Sequence, residues 1–184
     1  MTAINTDIFK AYDVRGLYPG ELNEDTFHQI GRAFAAFLGP GTVAVTRDMR
    51  LSSPSLTKAF IDGVTLQGVD VHDAGLAGTD MMYYAVASAG LMGGAQITAS
   101  HNPKQYNGCK MVKAEAFPLS GESGIREMKE LLLTNSLPAP SARRGTVTPI
   151  TIMAPYIEHV MGFIDPTVIQ SFNTVLDAGS GIAG

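Results

Sequence analysis

The chain has 184 residues, 45% of them hydrophobic and 16% charged, which is enough for one domain with a sizeable core, or one domain and part of another, and is not a disordered composition. A net charge of −4 argues against a general nucleic-acid binder, which needs clustered Lys and Arg along the phosphate backbone, and leaves open a local basic site for a small anion. No apolar run reaches the length of about 18 residues that a membrane span requires, the opening "MTAINTDIFKAYDVRG" lacks the basic and apolar regions of a signal peptide, and a single cysteine, Cys109, excludes an internal disulfide and suits a reducing cytoplasm.

The expected elements alternate along the chain. A short extended start over 8–12 leads into a polar turn, "DVRGLYPG" (13–20). Asn23 reads as a helix N-cap, with Glu24 and Asp25 in the first turn. Phe27, Ile30, Phe34, Phe37 and Leu38 then recur at helical spacing until Gly39-Pro40-Gly41 ends the helix. The β-branched run 42–46 predicts a buried strand. Ser53 reads as an N-cap followed by Pro54 in the first turn, and Leu56, Phe60 and Val64 share one face of that helix, which stops at Gly68. A strand over 69–75 and a helix over 79–90, capped by Thr79, follow. Strands over 93–100 and 108–115 flank a polar loop, and 120–133 reads as a helix with Ile125, Met128 and Leu132 inward.

Residues 134–150 shift to Pro, Ser, Ala and Thr, a linker composition. A helix over 153–165 and a strand with a glycine-rich turn over 172–184 complete the chain. This order predicts an α/β layer fold with a mixed, mostly parallel sheet flanked by helices. The final "VLDAGSGIAG" (175–184) should feed a further helix and sheet, so we place one domain over 1–148 and the truncated start of a second α/β domain over 149–184.

In open α/β sheets, ligands bind beyond the carboxyl ends of strands. Three polar segments fall there: 12–16, 46–50 and 98–110. They hold Arg15, Arg47, Arg50, His101, Lys104 and Lys110. This set has two readings, wet loops or a positive-lined crevice for a phosphorylated small molecule.

Ser100 stands at the centre of the third segment. A serine hydroxyl is a poor nucleophile without a base or a stabilising cation. His101 is its neighbour, but adjacent residues in extended chain point apart, which disfavours a Ser-His-Asp triad. Neither a G-x-S-x-G elbow nor a G-x-x-x-x-G-K-[ST] loop is present. Ser100 is then either part of an ordinary polar turn or a serine that carries a phosphoryl group. In the second case backbone N–H groups and nearby cations would hold the charge, in a loop fixed by Pro103 and Gly108.

The stretch "TASHNPKQYNGCK" (98–110) closely resembles the active-site loop of the alpha-D-phosphohexomutase family, T-A-S-H-N-P-x-x-Y-N-G-x-K, at every fixed position. "FKAYDVRG" (9–16) is similar to the family's opening, in the form of its phosphomannomutase/phosphoglucomutase branch. "TRDMRLSSPSL" (46–56) is similar to G-R-D-x-R-x-S-S-x-x-L, with Thr46 in place of glycine, and 175–184 resembles the start of the family's second domain.

The resemblance implies an isomerase that moves phosphate between O1 and O6 of a hexose through a hexose 1,6-bisphosphate. Ser100 would be the phosphoserine, Lys110 and His101 would serve proton transfer or charge stabilisation, Arg15 would give electrostatic stabilisation, and Tyr12 would shape the substrate site. It further implies Mg²⁺, held through a phosphoryl oxygen on Ser100 and by aspartates of a D-G-D-x-D-R loop. That loop and the sugar-recognition loop are absent from this sequence, so the chain alone is expected to be inactive or nearly so. The alternative is a non-catalytic phosphosugar-binding module.

Overall fold

The computed structural model describes residues 4–179 together with 181 and 182. A single 3₁₀ turn, Thr6–Ile8, precedes strand β1 (Val14–Leu17), helix α1 (Glu24–Leu38), strand β2 (Thr42–Arg47), helix α2 (Ser53–Leu66) and strand β3 (Asp70–Leu76). Helix α3 (Thr79–Ser88), strands β4 (Gly93–Ile97), β5 (Tyr106–Lys113) and β6 (Phe117–Pro118), helix α4 (Ile125–Leu133), strand β7 (Val147–Pro149) and helix α5 (Met153–Met161) follow.

The sheet is mixed and runs β1-β5-β4-β2-β3-β7, with β6 beside β5. The pairs β2–β4, β2–β3 and β3–β7 are parallel, whereas β1–β5, β4–β5 and β5–β6 are antiparallel. Parallel neighbours need a crossover, and α2 and α3 supply it, one on each face. One face carries the larger core, where Phe27, Ile30 and Phe34 of α1 meet Leu56, Phe60 and Val64 of α2 over Val43, Val45, Val71 and Ile97. α1 and α2 approach closely at Gly31, where a Cβ would stand 2.2 Å from the Phe60 carbonyl oxygen. The other face is built from smaller or unbranched side chains: Ala44, Met81, Met82, Ala85, Val86 and Val112. The strand order reverses between β2 and β4, because the chain leaves β2 for β3 on one side and returns to β4 on the other. That crevice is where an open α/β sheet receives ligands.

The locally encoded elements agree with the sequence reading. Asn23 caps α1 through its side-chain oxygen, which accepts from the Thr26 amide at 3.0 Å. Others differ. The expected polar turn over 13–20 contains β1, whose Val14 is fully buried and pairs with Cys109 across the sheet; a pairing partner about ninety residues away leaves no local trace. The expected extended start over 8–12 holds the end of the 3₁₀ turn and a single bridge from Phe9 to Val14.

Neither Ser53 nor Thr79 caps its helix. Ser52 and Gly78 occupy those positions without a side-chain cap, and the Ser53 hydroxyl is drawn away by Asp48. The linker-like stretch 134–150 ends in β7, an edge strand on β3. Asp70 draws it in: its carboxylate accepts from the Thr146 amide at 2.6 Å, the Thr146 hydroxyl and the Arg143 guanidinium. α4 begins at Ile125 rather than at 120, and α5 ends at Met161. No strand forms over 173–178 among the described residues; Val175 and Leu176 are almost fully exposed there. Ser180, Ala183 and Gly184 of the expected glycine-rich turn lie outside the described residues.

Candidate active site

The loop between β4 and β5 lies at the carboxyl end of β4, beside the end of β2. Ser100 is exposed there, with φ 55°, in the left-handed region that costs a non-glycine residue about 1–2 kcal/mol. Surrounding hydrogen bonds hold it. The Ser100 amide donates to Thr98 Oγ1 at 2.9 Å, and the Thr98 hydroxyl donates to Asp48 Oδ2 at 2.8 Å. The carbonyl of Ala99 accepts from Arg15, from the Asn102 amide and from Asn102 Nδ2. Two of the turn's amides, those of Ser100 and Asn102, are therefore occupied inside the turn.

The floor of the loop is equally fixed. Asn107 is fully buried, and its Nδ2 donates to Ser52 Oγ at 2.8 Å and Ser53 Oγ at 3.0 Å. A Cβ on Gly108 would stand 2.1 Å from the Val14 carbonyl oxygen, so only glycine lets β1 lie this close to β5. The tip of β1 joins the same loop, since the Tyr18 amide donates to the Gln105 carbonyl at 2.8 Å.

Of the residues expected at the site, Arg15 is tied to the loop at the residue before Ser100. Its Nη1 donates to the Ala99 carbonyl at 2.9 Å, and its Nη2 pairs with Asp13. Each terminal nitrogen keeps a further N–H, and buried Nε has no partner among the described residues. His101 is exposed, with Nδ1 3.4 Å from Ser100 Oγ, a long contact, and no carboxylate orients the ring among the described residues. The geometry is not that of a Ser-His-Asp triad. Lys110 lies on β5 opposite Gln96, half-buried, and its ammonium has no partner among the described residues. Tyr12 is 77% exposed on the loop before β1 and makes no side-chain hydrogen bond among the described residues.

Arg50 differs from its expected role. One of the two sequence readings placed it among the cations of a phosphate crevice, and its guanidinium is occupied by the loop itself. Nε donates to Asp48 Oδ2, Nη1 to the carbonyls of Pro103 and Tyr106, and Nη2 to those of Ser100 and Asn102. Asp48 and Asn107 were missed as site residues. The signal that could have found Asp48 is its spacing to Arg50: an Asp accepting from the amide two residues on is an Asx turn, here at 3.0 Å.

A cavity of about 560 Å³ lies behind the loop, lined among others by Tyr18, Met49, Arg50, Leu51, Asn102 and Lys104; Ser100, Arg15 and Lys110 do not line it. At its rim Tyr18 donates to Glu24 at 2.9 Å, which raises the phenol pKa, and the hydroxyl of Ser55 holds the Glu24 carboxyl below its usual range. Cys109, next to Gly108, is fully buried, and burial pushes its thiol well up, as suits a small core residue and not a reactive one.

No group of three or more His, Cys, Asp or Glu side chains able to hold a metal occurs among the described residues. The carboxylate nearest the loop, Asp48, is unsuited as a ligand, because both oxygens already accept hydrogen bonds from Ser53, Thr98 and Arg50. No described helix is long and apolar enough to cross a membrane.

Comparison with known proteins agrees with this geometry. Residues 6–136 match the family model described as phosphoglucomutase/phosphomannomutase, alpha/beta/alpha domain I. A phosphomannomutase of Escherichia coli is 44% identical over 178 residues, covering 96% of this chain and 39% of the relative. One of Klebsiella pneumoniae is 46% identical over 151 residues, 82% of this chain and 96% of the relative. Among solved structures, a phosphoglucomutase/phosphomannomutase family protein from Burkholderia thailandensis superposes with a TM-score of 0.77 at 33% identity, over 86% of this chain and 36% of that one. The chain thus spans about two fifths of the Escherichia coli relative. With its layered fold, its serine loop and these matches, it belongs to the phosphoglucomutase/phosphomannomutase family, whose domain I it carries.

Proposed function

We propose that this chain is the phosphoryl-carrying part of a phosphohexomutase, an isomerase acting on hexose phosphates, with Ser100 as the carrier. The observation that carries the reading is an exposed hydroxyl on a turn fixed from behind, with the largely buried Arg15 guanidinium bound to the carbonyl of the preceding residue. In the reaction the bond between phosphorus and Ser100 Oγ breaks as a sugar hydroxyl, O6 or O1, attacks the phosphorus, and that hydroxyl loses its proton to a base. The product is a hexose 1,6-bisphosphate. It turns over in the site, and the phosphoryl group at its other end passes back to Ser100 Oγ, which leaves the isomeric monophosphate.

Arg15 stabilises charge on the moving group through the N–H positions its partners leave free. Lys110 and His101 are the candidates for proton transfer, and Tyr12 for a wall of the sugar site. The described residues offer no carboxylate set for Mg²⁺; an ion would be held by a phosphoryl oxygen on Ser100 and carboxylates from outside them, and would neutralise charge on that oxygen. We place the start of a second domain at 149–184. Its support is the row of exposed apolar residues that includes Phe163, Val168, Phe172 and Leu176, together with the greater length of the Escherichia coli relative. The buried, unpaired Cys109 accords with a reducing cytoplasm.

Incubation with glucose 1,6-bisphosphate labelled in its phosphates tests the reading. Stable label on Ser100, absent from Ser100→Ala, is the expected result, and the unfolding free energy of that variant should stay within about 0.5 kcal/mol of the parent. Reversible binding with no label would overturn it in favour of a phosphosugar-binding module. The chain alone should show no steady interconversion of hexose 1- and 6-phosphates; full turnover would remove the need for groups outside it.

A further inference from the structure

The geometry points to Arg50 as the positioning residue of the phosphoryl carrier: its guanidinium is the template on which the Ser100 loop folds, and it does not bind substrate. This rests on the reading of Ser100 given above. Four carbonyl oxygens, of Ser100, Asn102, Pro103 and Tyr106, converge on the two terminal nitrogens at 2.6–3.1 Å, and Nε is held by Asp48 at 3.0 Å. Every N–H the side chain has is therefore used, and none remains for an anion.

Two consequences follow for chemistry at Ser100. Drawing four carbonyl oxygens to one cation holds the negative ends of those peptide dipoles at the guanidinium, where they cannot face the serine hydroxyl. Closure at Arg50 also fixes the backbone on both sides of Ser100. The carbonyl of Ser100 is bound to Arg50, and its amide is bound through Thr98 to Asp48, the same carboxylate that holds Arg50. The left-handed φ of 55° is thus set from both ends of the residue by one Asp-Arg pair on a different loop. A carrier oxygen prepared in this way needs no rearrangement as phosphorus arrives, and displacement by about 1 Å is enough to cost on the order of 100-fold in rate.

Lysine is the informative replacement. It keeps the charge but presents its N–H groups from a single nitrogen, so it cannot bridge four separated carbonyls and Asp48 together. The experiment compares the parent chain with Arg50→Lys and Arg50→Met for the rate of label transfer from glucose 1,6-bisphosphate to Ser100. Amide hydrogen exchange over residues 100–106 and the melting temperature are measured on the same samples.

We expect the saturating rate to fall about 100-fold in both variants, with the half-saturating bisphosphate concentration unchanged within about threefold. Exchange at Asn102 and Tyr106 should rise at least about tenfold, while amides of β2 and β3 stay at parent rates. Where Arg50→Met does not fold, Arg50→Lys decides alone. Parent-like label transfer in a folded variant overturns the proposal. So does a fall confined to the half-saturating concentration, or a slow rate with unchanged exchange, since either would place Arg50 on the substrate. A parent chain that takes no label instead removes the carrier reading, and this proposal with it.

Discussion

The serine loop and the C-terminal arm reverse the usual relation between regular structure and order. Residues 98–105 belong to no helix or strand, yet they are fixed by a buried carboxylate, a guanidinium and two hydroxyl side chains. Residues 153–176 include a two-turn helix, and most of their side chains, among them Phe172 and Leu176, lie open to solvent. α5 is tied down along one side: Tyr156 donates to Asp80, and the His159 ring lies between a tilted Tyr84 at 5.0 Å and an edge-on Phe163 at 4.9 Å. What fixes a segment here is its partners from distant sequence, and the helix period alone does not supply them.

Three measurements break or sharpen this contrast. The largest effect should come from Asp48→Ala. It strips four hydrogen bonds from Arg50, Ser53 and Thr98 and leaves a largely buried guanidinium without its carboxylate. We expect a loss of about 3–5 kcal/mol in urea unfolding; a loss under about 1 kcal/mol would mean that the loop's order lies elsewhere.

An intermediate effect concerns β7, at the border between the two regions. Hydrogen bonds from Thr146 hold the Asp70 pKa at about 2, below its usual 3.8. A depressed carboxylate stabilises the fold above its unfolded pKa, and that contribution is lost as pH falls through the folded value. Between about pH 4 and pH 2, β7 amides should therefore lose protection before those of β2, and Asp70→Asn should show that loss already at neutral pH. Equal protection of β7 and β2 across this window would contradict the assignment.

The smallest effect should follow Phe172→Ser with Leu176→Ser. On a solvent-exposed arm, the unfolding free energy should move by no more than about 0.5 kcal/mol. A larger loss would mean that the arm packs against the domain.

Elements that carry their own signals were legible in the sequence. α1 has a cap, an acidic first turn and an apolar stripe within sixteen residues, 23–38, and it forms as read. β1 carries no such signal: Val-Arg-Gly-Leu beside Pro19-Gly20 reads as a turn, and only the antiparallel register with β5 makes it a strand. The capping misreadings at Ser53 and Thr79 are each off by one residue, Ser52 and Gly78 standing at the caps. At Ser53 the competing acceptor on Asp48 cannot be seen from spacing. At the candidate site, the loop motif pointed to Ser100, and the structure brings Arg15 to the adjoining Ala99 carbonyl and His101 within 3.4 Å of the hydroxyl. Arg50 was identified as a charged loop residue and given no partner, because the carbonyls it holds lie about fifty residues away.

Gly108 brings β1 so close to β5 that the one thiol of the protein, at the next position, is sealed between Val14 and Ile97. Alkylating reagents can then reach it only when those strands part. Its modification rate is a built-in clock for opening directly beneath the serine loop, one that can be read in the untouched protein and without any sugar.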